Sequence, residues 1–222
     1  MTEVEKGRSI MNDGLPGIDS HTISSVAELE ALYGLPSGAA VAKELNYISE
    51  PYRAFVEKAP FVIIASSGPG GLDCTPRGDP AGFVRVVNNR TVLIPDRRGN
   101  NRLDTLRNLV ADPRIGLLFL IPGVGETLRI NGRARITTDP ALCATFEMQR
   151  QLPKSVIEVT TEQVYFQCPK ALVRSKLWDP ATQVPRSALP SAGQMLQAIA
   201  DCGIDGETYD KAYPERLKQT IY

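Results

Sequence analysis

The sequence predicts a mainly β protein of the α+β type: a small antiparallel barrel with helices packed outside it and helical extensions at both ends. Three observations carry that expectation. From Phe61 to Cys168, runs rich in β-branched residues follow one another, separated by glycine, proline and asparagine, which is the spacing of antiparallel strands. A parallel sheet would need a helix after nearly every strand, and too few helical stretches interrupt these runs. Within "ETLRINGRARITT", Leu128, Ile130, Gly132, Ala134 and Ile136 alternate with Thr127, Arg129, Asn131, Arg133, Arg135 and Thr137. One face of that strand is therefore apolar and core-directed, the other strongly cationic.

Taken in order, residues 1 to about 20 read as a loose polar arm. In "SSVAELEALYG", Ser25 stands three residues before Glu28, a capping-box spacing, Val26, Leu29 and Leu32 share a face, and Gly34 is a stop. "SGAAVAKELNYI" and "PYRAFVEKA" read as two further helices, with Pro51 suited to a first helical position and Pro60 closing the region. The strand candidates are "FVIIASS", "LDCTPRG", "GFVRVVN", "TVLIPD", "RIGLLFLI", "ETLRINGRARITT" and "EQVYFQC". Gly68–Gly71 ("GPGG") marks a hairpin turn, and Asn88-Asn89 a second. Two helices are inserted among the strands: "NNRLDTLRNLVADP", with Asn101 in a cap position and Leu103, Leu106 and Val110 at helical spacing, and "DPALCATFEMQRQL". The C-terminal stretch gives a helix around Met195–Ala200 and a charged helical end. The organisation expected is 1–58 as arm and helices packing on the barrel, 59–180 as the barrel, and 181–222 as a helical extension, within one globular domain.

Composition narrows the function classes. With 25 basic and 25 acidic residues among 222, no net field draws the chain to nucleic acid or an anionic membrane, so any anion site must be local. Aromatic residues are only 6% of the chain, which also argues against a single-stranded nucleic-acid platform. No stretch approaches the roughly 18 apolar residues of a membrane span, and the N-terminus lacks the apolar core of a secretory signal. Cys74, Cys143, Cys168 and Cys202 form no CxxC pair, and reduced thiols in a cytoplasm are the expected state. The only histidine is His21, in the N-terminal region, which leaves zinc sites and Ser-His-Asp or Cys-His catalysis little to work with. Cys74, near Arg77, reads as a half-buried strand cysteine.

The densest candidate for chemistry is "PDRRGNNRLDTLRN", with four arginines and three asparagines around Gly99. A strand end running into a helix start offers free backbone N–H groups, a glycine permits close approach, and arginines supply charge: the needs of a phosphate site. A solvated basic turn is the competing reading of the segment alone. It has neither the Walker A pattern nor G-x-G-x-x-G. In "LVRSKLWDP", the single tryptophan lies among Arg174, Lys176 and Asp179, open to core packing or to ligand contact.

The order of three motifs is more specific than any of them alone. "DCTPRGD", then "IPDRRGNNR", then "ETLRINGRA" resembles the flavin-binding core of the pyridoxamine 5′-phosphate oxidase-related family, and closely a bacterial branch of it, over about residues 25 to 180. The resemblance implies a split β-barrel homodimer binding FMN in a groove at the subunit interface. By position it implies Pro76 and Arg77 along the flavin from one strand, Pro95, Asp96 and Arg97 from the neighbouring one, and Asn100, Asn101 and Arg102 at the phosphate. Thr127 and Arg129 match positions presented to the cofactor, often from the partner chain, and Lys176 and Trp178 match a less constant contact region.

What the family resemblance implies for activity is an FMN-dependent oxidoreductase passing electrons between a reductant and an unidentified small molecule. A flavin carrier or sensor without turnover is the alternative, and haem or a deazaflavin stays open as ligand. Family members that oxidise pyridoxamine phosphate hold it with a C-terminal arginine-histidine pair. Here the sequence runs "PERLKQTIY", with no histidine after His21, which argues against pyridoxal phosphate synthesis.

Overall fold

The first helix starts where its capping signal lies. In the computed structural model, which describes residues 21–199 and 203–222, α1 spans Val26–Tyr33. Ser25 Oγ accepts from the Glu28 N–H, while the Glu28 carboxylate reaches back to the Ser24 N–H, closing a reciprocal cap shifted by one residue. Gly34, at φ 73°, ends it in a conformation that glycine adopts without strain. The predicted N-terminal arm falls outside the described residues. The chain clusters into two compact units, Met1–Val41 and Ala42–Tyr222, and α1 belongs to the first.

The helix expected over "SGAAVAKELNYI" is only α2, Gly38–Ala42. Beyond it, Leu45 exchanges both backbone hydrogen bonds with Val164, so extended pairing wins there over helical spacing. In the second unit, α3 (Glu50–Lys58) has Pro51 in its first turn and buries Val56.

Seven strands follow: β1 (Phe61–Gly68), β2 (Gly71–Gly78), β3 (Arg85–Asn88), β4 (Thr91–Pro95), β5 (Arg114–Leu120), β6 (Thr127–Thr137) and β7 (Val156–Gln167). All pairings are antiparallel, in the order β2-β1-β5-β6-β7-β4-β3. The sheet stays open, because β2 and β3 are edges, yet six strands feed one apolar core: Val62 and Ile64, Val84 and Val86 with β3, Val92 and Ile94, Ile115 to Phe119, Leu128 and Ile130, and Ile157 to Val164. This is the split barrel. Each such side chain contributes about 1.5–3 kcal/mol on leaving water. The sixth strand follows the predicted alternation, with Leu128, Ile130, Gly132 and Ala134 buried. Its bulge at Asn131/Gly132 needs glycine, since a Cβ on Gly132 would lie 2.1 Å from the Thr160 carbonyl oxygen.

Several boundaries differ from the expectation. The last strand begins at Val156, because "VIEVTT" pairs with β4 on one side and β6 on the other. The third begins only at Arg85. α4 covers Asp104–Ala111, and its N-cap is Leu103, not Asn101. Its buried face is Thr105, Asn108 and Leu109, while Leu103 and Val110 are exposed: the helix turns its polar residues inward to bond β1 and β2, as Asn108 does to Ser66 Oγ and the Gly71 carbonyl. α5 is short, Pro140–Ala144, capped by Asp139. After it the chain buries Phe146 and turns through left-handed Gln149 and Arg150. Cys74 is exposed rather than half-buried, on the outer face of an edge strand.

The remaining helices are α6 (Lys170–Ser175), α7 (Ala192–Ile199) and α8 (Gly206–Thr220). Among the described residues, no helix is long and apolar enough to cross a membrane.

Candidate functional site

The alternation of β2 puts Asp73, Thr75 and Arg77 on one face, and these three residues open a cavity of about 790 Å³. The segment Asp96–Leu106, running from the end of β4 into α4, forms a second wall. Gln151, Leu152 and Lys154, delivered by the turn at Gln149 and Arg150, form a third, and Tyr222 joins them from beyond α8.

The cavity is cationic on balance: Arg77, Arg97, Arg98, Arg102 and Lys154 line it against Asp73, Asp96 and Asp104. Arg97 is held on three sides. Its Nε donates to Asp79 Oδ2 at 2.7 Å, its Nη1 to the Phe146 carbonyl at 2.6 Å, and its guanidinium carbon lies 5.6 Å from the centre of the Tyr222 ring. Asp79, whose side chain is fully buried, also accepts from the Tyr222 hydroxyl. Arg77 pairs with Asp96 at 3.2 Å through Nη1, but its buried Nε has no hydrogen-bond partner among the described residues. Burial pushes the Asp96 carboxyl above the ordinary carboxylate value, with Arg77 and then Lys154 opposing that shift.

At the other end of this wall the backbone is unusual. Asn101 (φ 59°) and Leu103 (φ 61°) are both left-handed, and Leu103 places no side-chain cap on α4, so the first N–H groups of that helix lack a capping side chain. A leucine in this conformation costs on the order of 1 kcal/mol, and such outliers cluster at ligand sites. Arg102 turns to Asp104 at 2.7 Å, and Thr105 donates a short hydrogen bond to Asp73, which ties α4 to β2.

Six of the residues singled out from sequence meet here: Arg77, Asp96, Arg97, Asn100, Asn101 and Arg102. Two neighbours do not line the cavity. Pro76 is exposed on the opposite face of β2, and Pro95 is buried at the end of β4. Three of the other four lie around the start of β6. Thr127 opens that strand opposite Gln167, Arg129 donates to the Tyr165 hydroxyl (2.9 Å) and to Gln167 Oε1 (3.3 Å), and Trp178 donates to the Val124 carbonyl at 2.8 Å. Lys176 is the left-handed C-cap of α6.

The cavity also holds residues that were not singled out. Asp73 and Thr75 share the alternation of "DCTPRGD" with Arg77, a signal present in the motif. Gln151, Leu152, Lys154 and Tyr222 carry none.

The split barrel thus carries a cationic, partly apolar cavity beside a helix start that no Leu103 side-chain bond caps. Residues 48–168 match the pyridoxamine 5'-phosphate oxidase family, and the chain belongs to that flavin-binding family. The match spans β1 to β7 and stops before Lys176, Trp178 and Tyr222. No curated protein matches the sequence. Among solved structures, HupZ of Group A Streptococcus (H111A) is similar at 16% identity and a TM-score of 0.45, covering 54% of this chain and 99% of that one. The putative pyridoxamine 5'-phosphate oxidase of Lactobacillus delbrueckii is similar at 16% identity, TM-score 0.43, with 55% and 98% covered. The FAD binding protein of Mycobacterium smegmatis is similar at 17% identity, TM-score 0.39, with 55% and 97% covered. At these scores the assignment rests on the family match.

Proposed function

We propose that this cavity binds FMN and that the protein is an FMN-dependent oxidoreductase acting on a small molecule. The observation that carries the reading is the wall Asn100–Thr105: two left-handed residues, an uncapped helix start and Arg102, next to Arg97 and Arg98. Such a wall satisfies a phosphate dianion through backbone N–H groups and charge-assisted bonds. The unpartnered Nε of Arg77 is a second support, because a buried guanidinium donor is costly until an acceptor meets it. The volume, about 790 Å³, is in the range of cofactor sites.

In this reading Asn100, Asn101 and Arg102 hold the phosphate, and Arg77, Asp96 and Arg97 lie along the ring system. A bound flavin would supply hydride or electron transfer between a reductant and an acceptor. Thr127, Arg129, Lys176 and Trp178 do not line the cavity of their own chain, and a homodimer would bring them to the cavity of a second copy. A reducing cytoplasm is the proposed setting, consistent with the free thiols of Cys74, Cys143 and Cys168.

The test is the visible spectrum of the purified protein before and after FMN addition, followed by reduction with NADH or NADPH and reoxidation by candidate acceptors. Stoichiometric binding with turnover supports the oxidoreductase; binding without any turnover leaves a carrier or sensor. No binding of FMN removes the reading.

A further inference from the structure

α7 and α8 form a tight pair. A Cβ on Gly193 would lie 2.0 Å from the Gly206 carbonyl oxygen, so the two backbones touch where both residues are glycine. The Asp210 carboxylate then binds the Gly193 N–H at 2.8 Å and the Ser191 hydroxyl, fastening one helix to the start of the other.

The attachment of this pair to the barrel is of a different kind. Among the described residues, neither helix contributes a side chain to the buried apolar clusters. Among the described residues, the hydrogen bonds that join the pair to the barrel come from the end of α8 and the residues just beyond it. The Gln219 carbonyl accepts from Arg98 at 3.5 Å, and the Tyr222 hydroxyl donates to Asp79 Oδ1 at 2.7 Å. Arg98 and Tyr222 both line the cavity, so the same few residues form its wall and hold the helix pair.

We infer that Tyr222 is the latch of a lid: its hydrogen bond to Asp79 holds the end of the α7–α8 pair at the cavity wall that Tyr222 itself forms, and ligand enters and leaves when that bond opens. The inference rests on the cavity being the ligand site. An element joined by a few hydrogen bonds, without apolar burial, opens at lower free energy than the core does. Opening of such an element sets the rates of ligand exchange more than the strength of binding. The latch also bears on the site itself, because Asp79 Oδ2 fixes Arg97 while Oδ1 takes Tyr222. Closing the lid thereby completes the partners of a fully buried carboxylate.

The experiment compares the full chain with Tyr222→Phe, which keeps the ring and removes the donor, and with Tyr222→Ala, which removes both. Amide hydrogen exchange is followed without ligand and with FMN, and FMN association and dissociation are timed by stopped-flow fluorescence. In Tyr222→Phe the α8 amides of the ligand-free protein should exchange roughly five- to tenfold faster, the fold-change of one hydrogen bond of ordinary net strength, with β1 and β5 unchanged. FMN should enter and leave faster by similar factors, so that Kd moves less than either rate, and Tyr222→Ala should exaggerate both effects. Unchanged exchange in α8, or an equal rise in α8 and the barrel strands, overturns the latch. Unchanged FMN rates alongside faster α8 exchange overturn the gating. If the unaltered protein binds no FMN, the cavity reading and the gating fall together, while exchange in the ligand-free protein still decides whether Tyr222 holds α8.

Discussion

The hydroxyl of Tyr222 donates a 2.7 Å hydrogen bond to Oδ1 of Asp79, 143 positions earlier in the chain, and Oδ2 of the same carboxylate binds Arg97. One buried acid thus joins the family motif at β2, the loop after β4 and the segment beyond α8.

The Tyr222 phenol is shifted above its ordinary value of 10.0, first by its bond to Asp79, then by burial and the charge of Asp79, with Arg97 opposing. Because the folded-state value is raised, the bond's contribution is complete below that ordinary value and is lost as pH rises through the shifted one. Tyrosinate absorbance should therefore show a late-titrating group that disappears in Tyr222→Phe. An identical titration curve in the variant would exclude the shift.

Asp79→Ala leaves Arg97, only 15% exposed, without its carboxylate. Breaking a buried pair on one side costs about 3–5 kcal/mol. Thermal or urea denaturation should show a loss of that size, whereas Arg135→Ala, whose partner Glu158 is met at an exposed guanidinium, should cost no more than about 1 kcal/mol.

Arg102 is exposed and free to leave Asp104 for a ligand. Arg102→Ala should weaken FMN about 10- to 100-fold, the worth of a charged hydrogen bond, while riboflavin binding stays nearly constant. Fluorescence titration with both ligands is the measurement. Equal losses would move Arg102 away from the phosphate.

Assembly and flavin occupancy should be linked, since a ligand bridging two chains stabilises only the associated state. Light scattering should give a dimer whose dissociation at low concentration is suppressed by FMN. A monomer with full FMN affinity would contradict a site shared between subunits.

Pyridoxamine 5′-phosphate should be a poor substrate. Among the described residues no histidine lines the cavity, so the arginine-histidine pair that would hold such a substrate in near-attack geometry is missing from this wall. Anaerobic mixing of the flavin-loaded protein with pyridoxamine phosphate should leave the flavin absorbance unbleached. Rapid bleaching with release of pyridoxal phosphate would make it a vitamin B6 enzyme.

Local patterns suffice to reveal most of the strands and the loop that lines the cavity. Alternation along Thr127–Thr137 is a local property, since successive side chains face opposite ways, and it already separates core from surface. "IPDRRGNNR" likewise placed arginines and asparagines where a strand meets a helix, and the cavity forms there. Tertiary structure decided what surrounds that loop. Asn101 has the chemistry of a helix cap, but the loop carries it into a left-handed turn two residues before the cap itself, and the cap falls to Leu103. Thr127 and Arg129 share the motif order of the site residues, yet the sheet order sets them at the start of β6, bonded to β7 and away from the cavity of their own chain. Lys154 reaches the cavity because the chain turns back at Gln149, and Tyr222 reaches it from just beyond the end of α8. No local pattern announces such contacts: they depend on the path of the whole chain, and a buried carboxylate such as Asp79 takes as partner whichever donor that path delivers to it.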